Sequence, residues 1–592
     1  MAKDGFMNSF WGTIAGIWVS IFVVFALGII SLISAIVSSS TSSSIEKHSV
    51  LYLNLSGEVT DRPVQGNIFE EIIAGDQGPK LALSEVVAAL DAAATDKRFD
   101  GVYIDCNGAI CGLANSNAIA DAIKRFKESG KWVMAYGDNM SQGDYYMACN
   151  ADSVYLNPIG AVNIHGFAAT TPFFKGLMDK MGVEMQIVKV GTYKSAVEPF
   201  MLTGMSDASR EQQVHYLGMM WDAAKQSMAE ARGITAESID SIANNFISMR
   251  SAEDCVNAKL VDKLVYRREI QQRICELVDE EDFDDVNLVT PSAYCADNKF
   301  PEPNDEKTVA VLYALGDIVD SGDEGIVGGK MVEYILDIAD DDDIDALILR
   351  VNSGGGSAFA SEQIWEALEQ YKATTGNPFY VSMADVAASG GYYISCGADK
   401  IYADPLTLTG SIGVFGMIPN IEGTLKDHLG INMETVETNA DANFPALFQP
   451  MTEPQKMAMQ GMVDRCYELF TSRVAAGRGM EIDAVKAIAE GRVWDGTTAF
   501  EIGLVDELGS LEDALAGMAQ LLEVDIKDME VKSYPNPEDE LIQAILESAE
   551  LSVEEKLAEA GIDAETLNIY RYISRMNNMS HLQCRMQPVE IR

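Results

Sequence analysis

The sequence predicts an α/β protein built from two tandem copies of one domain, preceded by a single transmembrane helix. The duplication is visible in two places. The apolar stretch Gly101–Asn107 parallels Ala346–Asn352 at an offset of 352 − 107 = 245, and Tyr145–Asp152 aligns with Tyr392–Asp399 at 392 − 145 = 247. A near-constant offset over separate segments indicates a repeat. Each copy alternates short apolar strands with amphipathic helices, which is typical of a parallel, helix-covered sheet.

The predicted transmembrane helix covers residues 9–37. No Asp, Glu, Lys, Arg or His occurs between Gly5 and Ile45, and an apolar run of this length can cross about 30 Å of hydrocarbon. A cleaved signal peptide is the competing interpretation, but the run is longer than a typical signal-peptide core and no clear small-x-small cleavage site follows it. The charges on the two flanks nearly cancel, so this segment does not decide its own orientation.

The remaining boundaries follow from composition and from the repeat. The predicted order is a stub over 1–8, the helix, a Ser-rich tether over 38–48, the first repeat over 49–289, a linker over 290–308, the second repeat over 309–532, and a tail over 533–592. The tail begins with a predicted helix, and the sequence indicates no function for it.

Composition narrows the classes of partner. A formal net charge of −47 opposes binding to nucleic acid, because phosphate contacts need clustered Lys and Arg. The nine cysteines include no C-x-x-C pair and no histidine at zinc-ligand spacing, so no metal site and no cofactor is predicted. Their odd number favours buried free thiols over a disulfide framework, although pairing of Cys106 with Cys111 stays open.

Ser389 is the first candidate for chemistry. It lies in Ala387–Tyr393, where a predicted strand turns into a helix, so its hydroxyl would sit beside free backbone N–H groups. Such groups can bind an oxyanion, and the glycines that follow let a peptide approach the backbone closely. A serine in this position can also simply cap the helix, and on this motif alone capping would be the more frequent role.

A second glycine-rich turn, Asn352–Ser357, follows the predicted strand Ala346–Val351. It could supply another oxyanion donor at the same edge of the sheet. Phosphate binding is the alternative for such a turn. No Lys-Ser or Lys-Thr follows the glycines and the G-x-G-x-x-G spacing is missing, so phosphate binding is disfavoured.

Lys194 is the candidate base for the serine. The first repeat has Gln142 where the second has Ser389, since 389 − 247 = 142, and the second repeat has no lysine over 431–450, the region that matches the lysine segment. No histidine lies near Ser389 in the sequence, and a partly desolvated lysine can act as a base near neutral pH, as in Ser-Lys dyads. A surface ion pair is the ordinary alternative for any lysine. Each repeat is therefore expected to supply one half of a single site.

Four motifs together resemble the signal peptide peptidase A family, in its long duplicated form also called protease IV. They are Gly191–Phe200 around the lysine, Asn352-Ser353-x-Gly355-Gly356, Ala388–Tyr393 around the serine, and Leu408–Gly413. They occur in the family's order over roughly residues 50 to 530. The one departure is Gly354, where the family usually has proline, and this loosens the loop before Gly355.

The resemblance implies a ClpP/crotonase-like fold repeated twice and a serine protease that degrades cleaved signal peptides and other apolar peptides. It implies Ser389 as nucleophile and Lys194 as general base. The backbone N–H groups of Gly355 and Gly390 would be the oxyanion donors, and Ser411 would orient the lysine amine.

The resemblance also implies a place and an assembly. The chain would be a bowl-shaped homotetramer of the bacterial inner (cytoplasmic) membrane, held in the bilayer by residues 9–37. The stub would be cytoplasmic and the repeats would lie on the periplasmic side.

Two other functions are compatible with parts of this pattern. A crotonase-type acyl-CoA enzyme would share the sheet and the glycine-rich turns, but it would need neither a serine–lysine pair across the repeats nor a membrane anchor. A non-catalytic membrane scaffold derived from a protease would not need to retain both Ser389 and Lys194.

Overall fold

The computed structural model describes residues 45–63, 81–297, 307–322, 324–536, 582–586 and 590–591. The predicted transmembrane helix, the stub, most of the tether and the predicted tail helix lie outside these residues. Among the helices that the structure describes, none combines the length and the apolar character needed to cross a bilayer.

The first repeat is organised around a parallel sheet. Its strands are β1 (Ser49–Leu55), β2 (Val59–Thr60), β3 (Leu81–Ala82), β4 (Phe99–Cys106), β5 (Trp132–Gly137), β6 (Ser153–Leu156), β7 (Ala169–Thr170), β8 (Glu184–Val190), β9 (Lys263–Leu264) and β10 (Leu288–Val289). The sheet has the order β10-β1-β4-β5-β6-β9, and every neighbouring pair is parallel. Strand β4 is buried along nearly its whole length, as expected for a strand covered on both faces.

Helices cover this sheet. They are α1 (Leu83–Thr95), α2 (Leu113–Glu128), α3 (Gln142–Ala148), α4 (Lys175–Met181), α5 (Glu198–Met201), α6 (Asp207–Arg232), α7 (Ala236–Asn244), α8 (Ala252–Asn257), α9 (Arg267–Val278) and α10 (Pro291–Asp297). Short 3₁₀ turns cover Ile247–Met249 and Phe283–Asp285. Helix α10 falls within the predicted linker and packs against α1, so this part of the linker belongs to the first repeat.

The second repeat has the same plan. Its strands are β11 (Lys307–Leu315), β12 (Ile318–Val319), β13 (Ile326–Val327), β14 (Ala346–Ser353), β15 (Gly355–Ser357), β16 (Phe379–Ala388), β17 (Lys400–Ala403), β18 (Leu408–Gly410), β19 (Val414–Asn420), β20 (Val493–Asp495), β21 (Glu507–Leu508) and β22 (Met529–Tyr534). They form a sheet of order β20-β18-β16-β14-β11-β22, with β17 beside β16 and β21 beside β17. Only the β18–β20 pair is antiparallel among the described pairs of this sheet.

The helices of the second repeat flank this sheet. They are α11 (Gly328–Asp340), α12 (Ala358–Thr375), α13 (Gly390–Ser395), α14 (Glu453–Arg478), α15 (Ile482–Ile488), α16 (Gly496–Glu501) and α17 (Leu511–Leu521). A π-helical turn covers Thr424–His428 and a 3₁₀ turn covers Ile526–Asp528. The predicted tandem α/β fold is confirmed.

Equivalent hydrogen bonds in the two repeats show that the duplication extends to side chains. The buried Tyr145 donates its hydroxyl hydrogen to the carbonyl of Leu260 at 2.9 Å, and Tyr392 does the same to Leu504 at 2.9 Å. The two tyrosines are separated by the offset read from the sequence. All nine cysteines lie in the described part of the chain and are free thiols, including Cys106 and Cys111.

A third sheet joins the two repeats and includes part of the tail. Its order is β13-β12-β15-β23-β19-β8, where β23 is Leu582–Arg585. Strand β8 leaves the first repeat and pairs antiparallel with β19 of the second, from Val190 opposite Val414 to Glu184 opposite Asn420. A last strand, β24 (Glu590–Ile591), pairs with β7. The repeats therefore share one continuous sheet.

Candidate active site

Ser389 and Lys194 are in direct contact although 195 residues separate them in the chain. The lysine Nζ lies 2.6 Å from the serine Oγ, and both side chains are buried, with 1% exposure for the lysine and 0% for the serine. The sheet that joins the repeats explains the approach. Val190, at the end of β8, lies opposite Val414 at the start of β19, and the lysine follows four residues after Val190. The structure thus brings together the two residues that the sequence predicted as nucleophile and base.

Ser389 occupies a strained turn between β16 and α13. Its backbone has φ 56° and ψ −111°, a conformation that residues other than glycine rarely adopt. Its N–H donates to the carbonyl of Gly410 at 2.8 Å, and its carbonyl accepts from the N–H of Tyr393 at 2.8 Å. The side chain makes no capping hydrogen bond to the helix. The serine hydroxyl therefore does not cap the helix, and the alternative role is wrong.

Burial favours the neutral amine of Lys194 over its charged ammonium form. Desolvation lowers the pKa of its ammonium from 10.5 to about 7, because the charged form loses its hydration. No carboxylate opposes this effect, and the thiol of Cys584 is the only other group that acts on this pKa among the described residues. The alternative of a surface ion pair is wrong for this lysine.

Ser411 completes the surroundings of the lysine nitrogen. Lys194 Nζ donates to the carbonyl oxygen of Ser411 at 3.0 Å and to its Oγ at 3.1 Å. A neutral amine has two N–H bonds and one lone pair. With both hydrogens on Ser411, the lone pair points to the hydroxyl of Ser389, which is the arrangement a general base requires. The structure therefore places Ser411 where the predicted orienting residue should be.

Two glycines make room for the lysine side chain. A Cβ added at Gly491 would lie 2.6 Å from Lys194 Cβ, and one at Gly413 would lie 3.2 Å from Lys194 Cδ. Gly491 also has φ +75°, which favours glycine for a second reason. Sequence reasoning missed Gly491, since nothing in its local pattern indicates that a distant chain packs against it.

Polar contacts then fix the loop that carries the lysine. Glu490 accepts from Thr192 through its carboxylate, at 2.9 Å from the backbone N–H and 2.7 Å from the hydroxyl. The amide of the buried Gln212 donates to the carbonyl of Tyr193 at 3.0 Å and accepts from the N–H of Val493 at 3.0 Å. These residues were also missed, because a Glu in a loop and a Gln on a helix give no signal in a single sequence.

The two predicted oxyanion donors lie side by side. A Cβ added at Gly355 would be 2.5 Å from the nitrogen of Gly390, and one added at Gly390 would be 3.1 Å from the Cα of Gly355. The N–H of Gly355 donates to Ser353 Oγ at 3.1 Å. The two turns that carry the donors are thus in contact, and their role in binding an oxyanion stays a prediction.

In the first repeat, the position equivalent to Ser389 is occupied by a glutamine whose side chain is hydrogen-bonded. Gln142, which stands where the second repeat has Ser389, accepts from the N–H groups of His165 and Gly166 at 3.0 Å each. Its amide nitrogen donates to the carbonyl of Gly166 at 3.2 Å. The amide side chain therefore holds the loop at residues 165–166 by hydrogen bonds, which agrees with one site per chain.

A buried ion pair links the two repeats. Arg350 donates from Nε to Asp61 at 2.9 Å and from an Nη to Asn115 at 2.9 Å, and both Asp61 and Asn115 belong to the first repeat. The exposed fractions of the charged side chains are 4% for Arg350 and 6% for Asp61. Breaking one partner of such a pair leaves an uncompensated charge, so the pair holds the two halves of the site in register.

The family model and the curated relatives agree with the repeat and identify the family of the chain. The family model for Peptidase family S49 matches residues 125–280 and again 372–525, two copies whose starts are offset by 372 − 125 = 247. Protease 4 of Haemophilus influenzae is 36% identical over 560 residues, which is 90% of this chain and 90% of that protein. A putative signal peptide peptidase of Enterococcus faecium is 34% identical over 39% of this chain and 67% of its own length. A solved structure of a ClpP1 mutant from Listeria monocytogenes covers 34% of this chain and 92% of its own, at 15% identity and a TM-score of 0.24.

Proposed function

Because this chain belongs to peptidase family S49, in the long duplicated form of protease 4, it is a serine protease, and we propose that it cleaves signal peptides with Ser389 as nucleophile and Lys194 as general base. The single observation that carries the dyad is the 2.6 Å contact between the two side chains, both buried and supplied by different repeats.

The proposed reaction begins with the neutral amine of Lys194. The amine takes the hydroxyl proton of Ser389 as Oγ attacks the scissile carbonyl carbon, and the carbonyl oxygen becomes an oxyanion. Backbone N–H groups of Gly390 and Gly355 would stabilise that charge. The resulting ammonium then gives its proton to the departing amine, which breaks the C–N bond and leaves an acyl-serine. Water, deprotonated by the same lysine, hydrolyses the ester and regenerates the hydroxyl.

The substrate class follows from the relatives and from the anchor that the sequence predicts. The name of the Enterococcus faecium relative points to signal peptides. Residues 9–37 would hold the site close to the bilayer, where apolar peptides are released. We propose that the repeats lie on the periplasmic side of the bacterial inner membrane and assemble as a homotetramer, two expectations that rest on the motif resemblance. Membrane fractionation with protease accessibility tests the first, and native mass measurement in detergent tests the second.

The central experiment compares four full-length proteins purified in detergent: wild type, Ser389→Ala, Lys194→Ala and Ser395→Ala. Ser395 is the matched control, because it is buried at the end of α13, the helix that follows Ser389, and its hydroxyl donates to the carbonyl of Gly391 at 2.7 Å. Hydrolysis of a fluorogenic apolar peptide should fall at least about a thousandfold in the first two variants and persist in the third. A Ser389→Ala or Lys194→Ala protein with wild-type turnover would refute the dyad.

A fluorophosphonate probe supplies a second readout that needs no peptide. It should label wild type and Ser395→Ala at Ser389, as shown by peptide mass mapping, and should leave Ser389→Ala unlabelled. Slow labelling of Lys194→Ala would separate loss of the base from loss of the fold.

A further inference from the structure

Strand β16 contains a bulge just before the nucleophile. Val351 of β14 lies opposite Met383, and Ser353 of β14 lies opposite Ala387. The step along β14 is 353 − 351 = 2 and the step along β16 is 387 − 383 = 4, so β16 carries two extra residues. On its other edge, β16 pairs with β17 before the bulge and with β18 after it. Because a bulge of this kind changes the direction of the chain that follows it, the bulge sets how β16 delivers Ser389.

Asp385, inside this bulge, reaches into the first repeat. Its Oδ1 accepts from the N–H of Ala114 at 2.9 Å and from the N–H of Asn115 at 3.4 Å, both in the first turn of α2. The N-cap residue of α2 is Gly112, which has no side chain that could accept these N–H groups. A Cβ added at Gly112 would lie 1.9 Å from Asp385 Oδ2, so the carboxylate fills the place of a cap side chain. The second repeat therefore supplies the cap of a helix in the first.

The equivalent residues of the other copy are arranged differently. Helix α12 of the second repeat is capped by its own Ser357, whose Oγ accepts a backbone N–H of that helix at 3.2 Å. Gly112 stands at the equivalent position of the first repeat, since 357 − 245 = 112. Asp138 is the first-repeat equivalent of Asp385, since 385 − 247 = 138, and its side chain is 52% exposed and pairs with Arg267. The missing serine and the crossing carboxylate thus complement each other at the contact between the repeats.

Asn352 holds the bulge from within the second repeat. Its Oδ1 accepts from the N–H of Val386 at 3.2 Å. Its Nδ2 donates to Asp385 Oδ2 at 3.4 Å and to Asp61 Oδ2 at 3.1 Å. Burial raises the pKa of the Asp385 carboxyl, and the N–H groups of α2 oppose that shift. The charged carboxylate is therefore favoured when α2 is docked against the bulge.

We propose that Asp385 is a positioning residue for the reaction: by binding the N-terminus of α2, it holds the β16 bulge and so aims Ser389 at Lys194. This inference rests on the proposed function, since it takes Ser389 as the nucleophile. The hydroxyl and the amine belong to different repeats, so their 2.6 Å contact depends on how the repeats dock. Asp385 lies four residues before Ser389 on the same strand and acts through the backbone of β16. Docking of α2 and placement of the nucleophile are thereby coupled.

The test compares full-length wild type in detergent with Asp385→Ala, with the double variant Asp385→Ala/Gly112→Ser, and with Asp404→Asn. The serine at position 112 gives α2 a cap of its own, in the space that the carboxylate leaves. Asp404 is the matched control, because its carboxylate also crosses to α2, where it accepts from the amide of Asn117 at 2.7 Å, but it follows β17 and not β16. Burial raises the pKa of Asp404 to about 7, so a neutral asparagine is a close replacement.

Kinetics at pH 8 should separate aiming of the nucleophile from capping of the helix. In Asp385→Ala, kcat for a fluorogenic apolar peptide should fall at least about tenfold with KM within about twofold, because a displacement of about 1 Å can cost about a hundredfold in rate. Fluorophosphonate labelling of Ser389 should slow by the same factor. The double variant should regain the 2 to 4 °C or so of melting temperature lost with the cap, but not kcat, since its bulge is still not held. Asp404→Asn should keep kcat within about twofold.

A readout without catalysis keeps this inference separate from the proposed function. By hydrogen exchange, the amides of residues 384–393 should exchange at least about tenfold faster in both Asp385→Ala proteins than in wild type and Asp404→Asn. Unchanged exchange in Asp385→Ala would overturn the inference, whether or not the protein hydrolyses peptides and whether or not the serine restores the melting temperature. Wild-type kcat in Asp385→Ala, or recovery of kcat in the double variant, would also overturn it and leave Asp385 only a helix cap. Absence of Ser389-dependent hydrolysis in wild type would reject the proposed function, and hydrogen exchange would still decide whether Asp385 holds the turn.

Discussion

The rate of hydrolysis should follow the protonation of Lys194. The base must be neutral, and a pKa of about 7 means that about a tenth of the amine is neutral at pH 6 and about nine-tenths at pH 8. The sign follows directly: protonation removes the base, so kcat/KM rises with pH. It should rise about tenfold between pH 6 and 8 and then level off. A lysine with its ordinary pKa of 10.5 would instead give a rise of about tenfold per pH unit through pH 9.

The assay is kcat/KM for a fluorogenic apolar peptide from pH 5.5 to 9.5 at constant ionic strength. The second-order rate of fluorophosphonate labelling at Ser389, measured over the same range, serves as a control because it depends on the same base but not on peptide binding. Both curves should share one midpoint near neutrality. A flat profile would mean that lysine is not the base, and a climb without a plateau would mean that its amine is not desolvated in the working enzyme.

Three further predictions concern the residues that position the dyad. Gly491→Ala should lower kcat/KM at least about a hundredfold, because the added Cβ displaces the side chain of Lys194. Gly479→Ala is the control, since Gly479 has a similar positive φ but nothing within 4 Å of the added Cβ. This variant should keep its activity and lose only about 1 kcal/mol of stability. Ser411→Ala should reduce kcat about ten- to a hundredfold with little change in KM, because the hydrogen bond that it deletes orients the amine that takes the proton. Asp61→Ala should destabilise the fold by about 3 to 5 kcal/mol in urea unfolding, since it leaves the charge of Arg350 buried without its partner; a cost below about 1 kcal/mol would mean that water reaches the guanidinium.

The sequence predicted the large features of the fold because they depend on local patterns. The apolar runs of β4 and β14 and their common offset were sufficient to predict two parallel-sheet repeats. Ser389, in its Ser-Gly-Gly turn, and Lys194 could be identified as candidates by chemistry, since each repeat lacked what the other had. The sheet that joins the repeats could not be predicted. The pairing of β8 with β19 joins residues more than two hundred positions apart, and the sequence of neither strand indicates which strand it pairs with.

The same limit explains what was missed around the lysine. Gly491, Glu490 and Gln212 act by filling or leaving space around a loop from another part of the chain. Steric room and satisfied hydrogen bonds are properties of the packed molecule, so a single sequence gives no signal for them. Strand β23 could not be predicted for a related reason. Its few residues have no strong periodicity, and they form a strand only by pairing with the edges of β15 and β19.

Division of the site between repeats has an energetic consequence. Lowering the pKa of Lys194 from 10.5 to about 7 means that its charged form is destabilised by about 5 kcal/mol in the folded protein. No carboxylate among the described residues offsets that cost, so it is met by other contacts, among them the β8–β19 ladder that forms when the repeats join. A lysine in a partly docked chain stays hydrated and protonated, and it cannot act as a base. The neutral amine therefore exists only in the fully assembled chain, so that the base arises from the same packing that joins the two repeats.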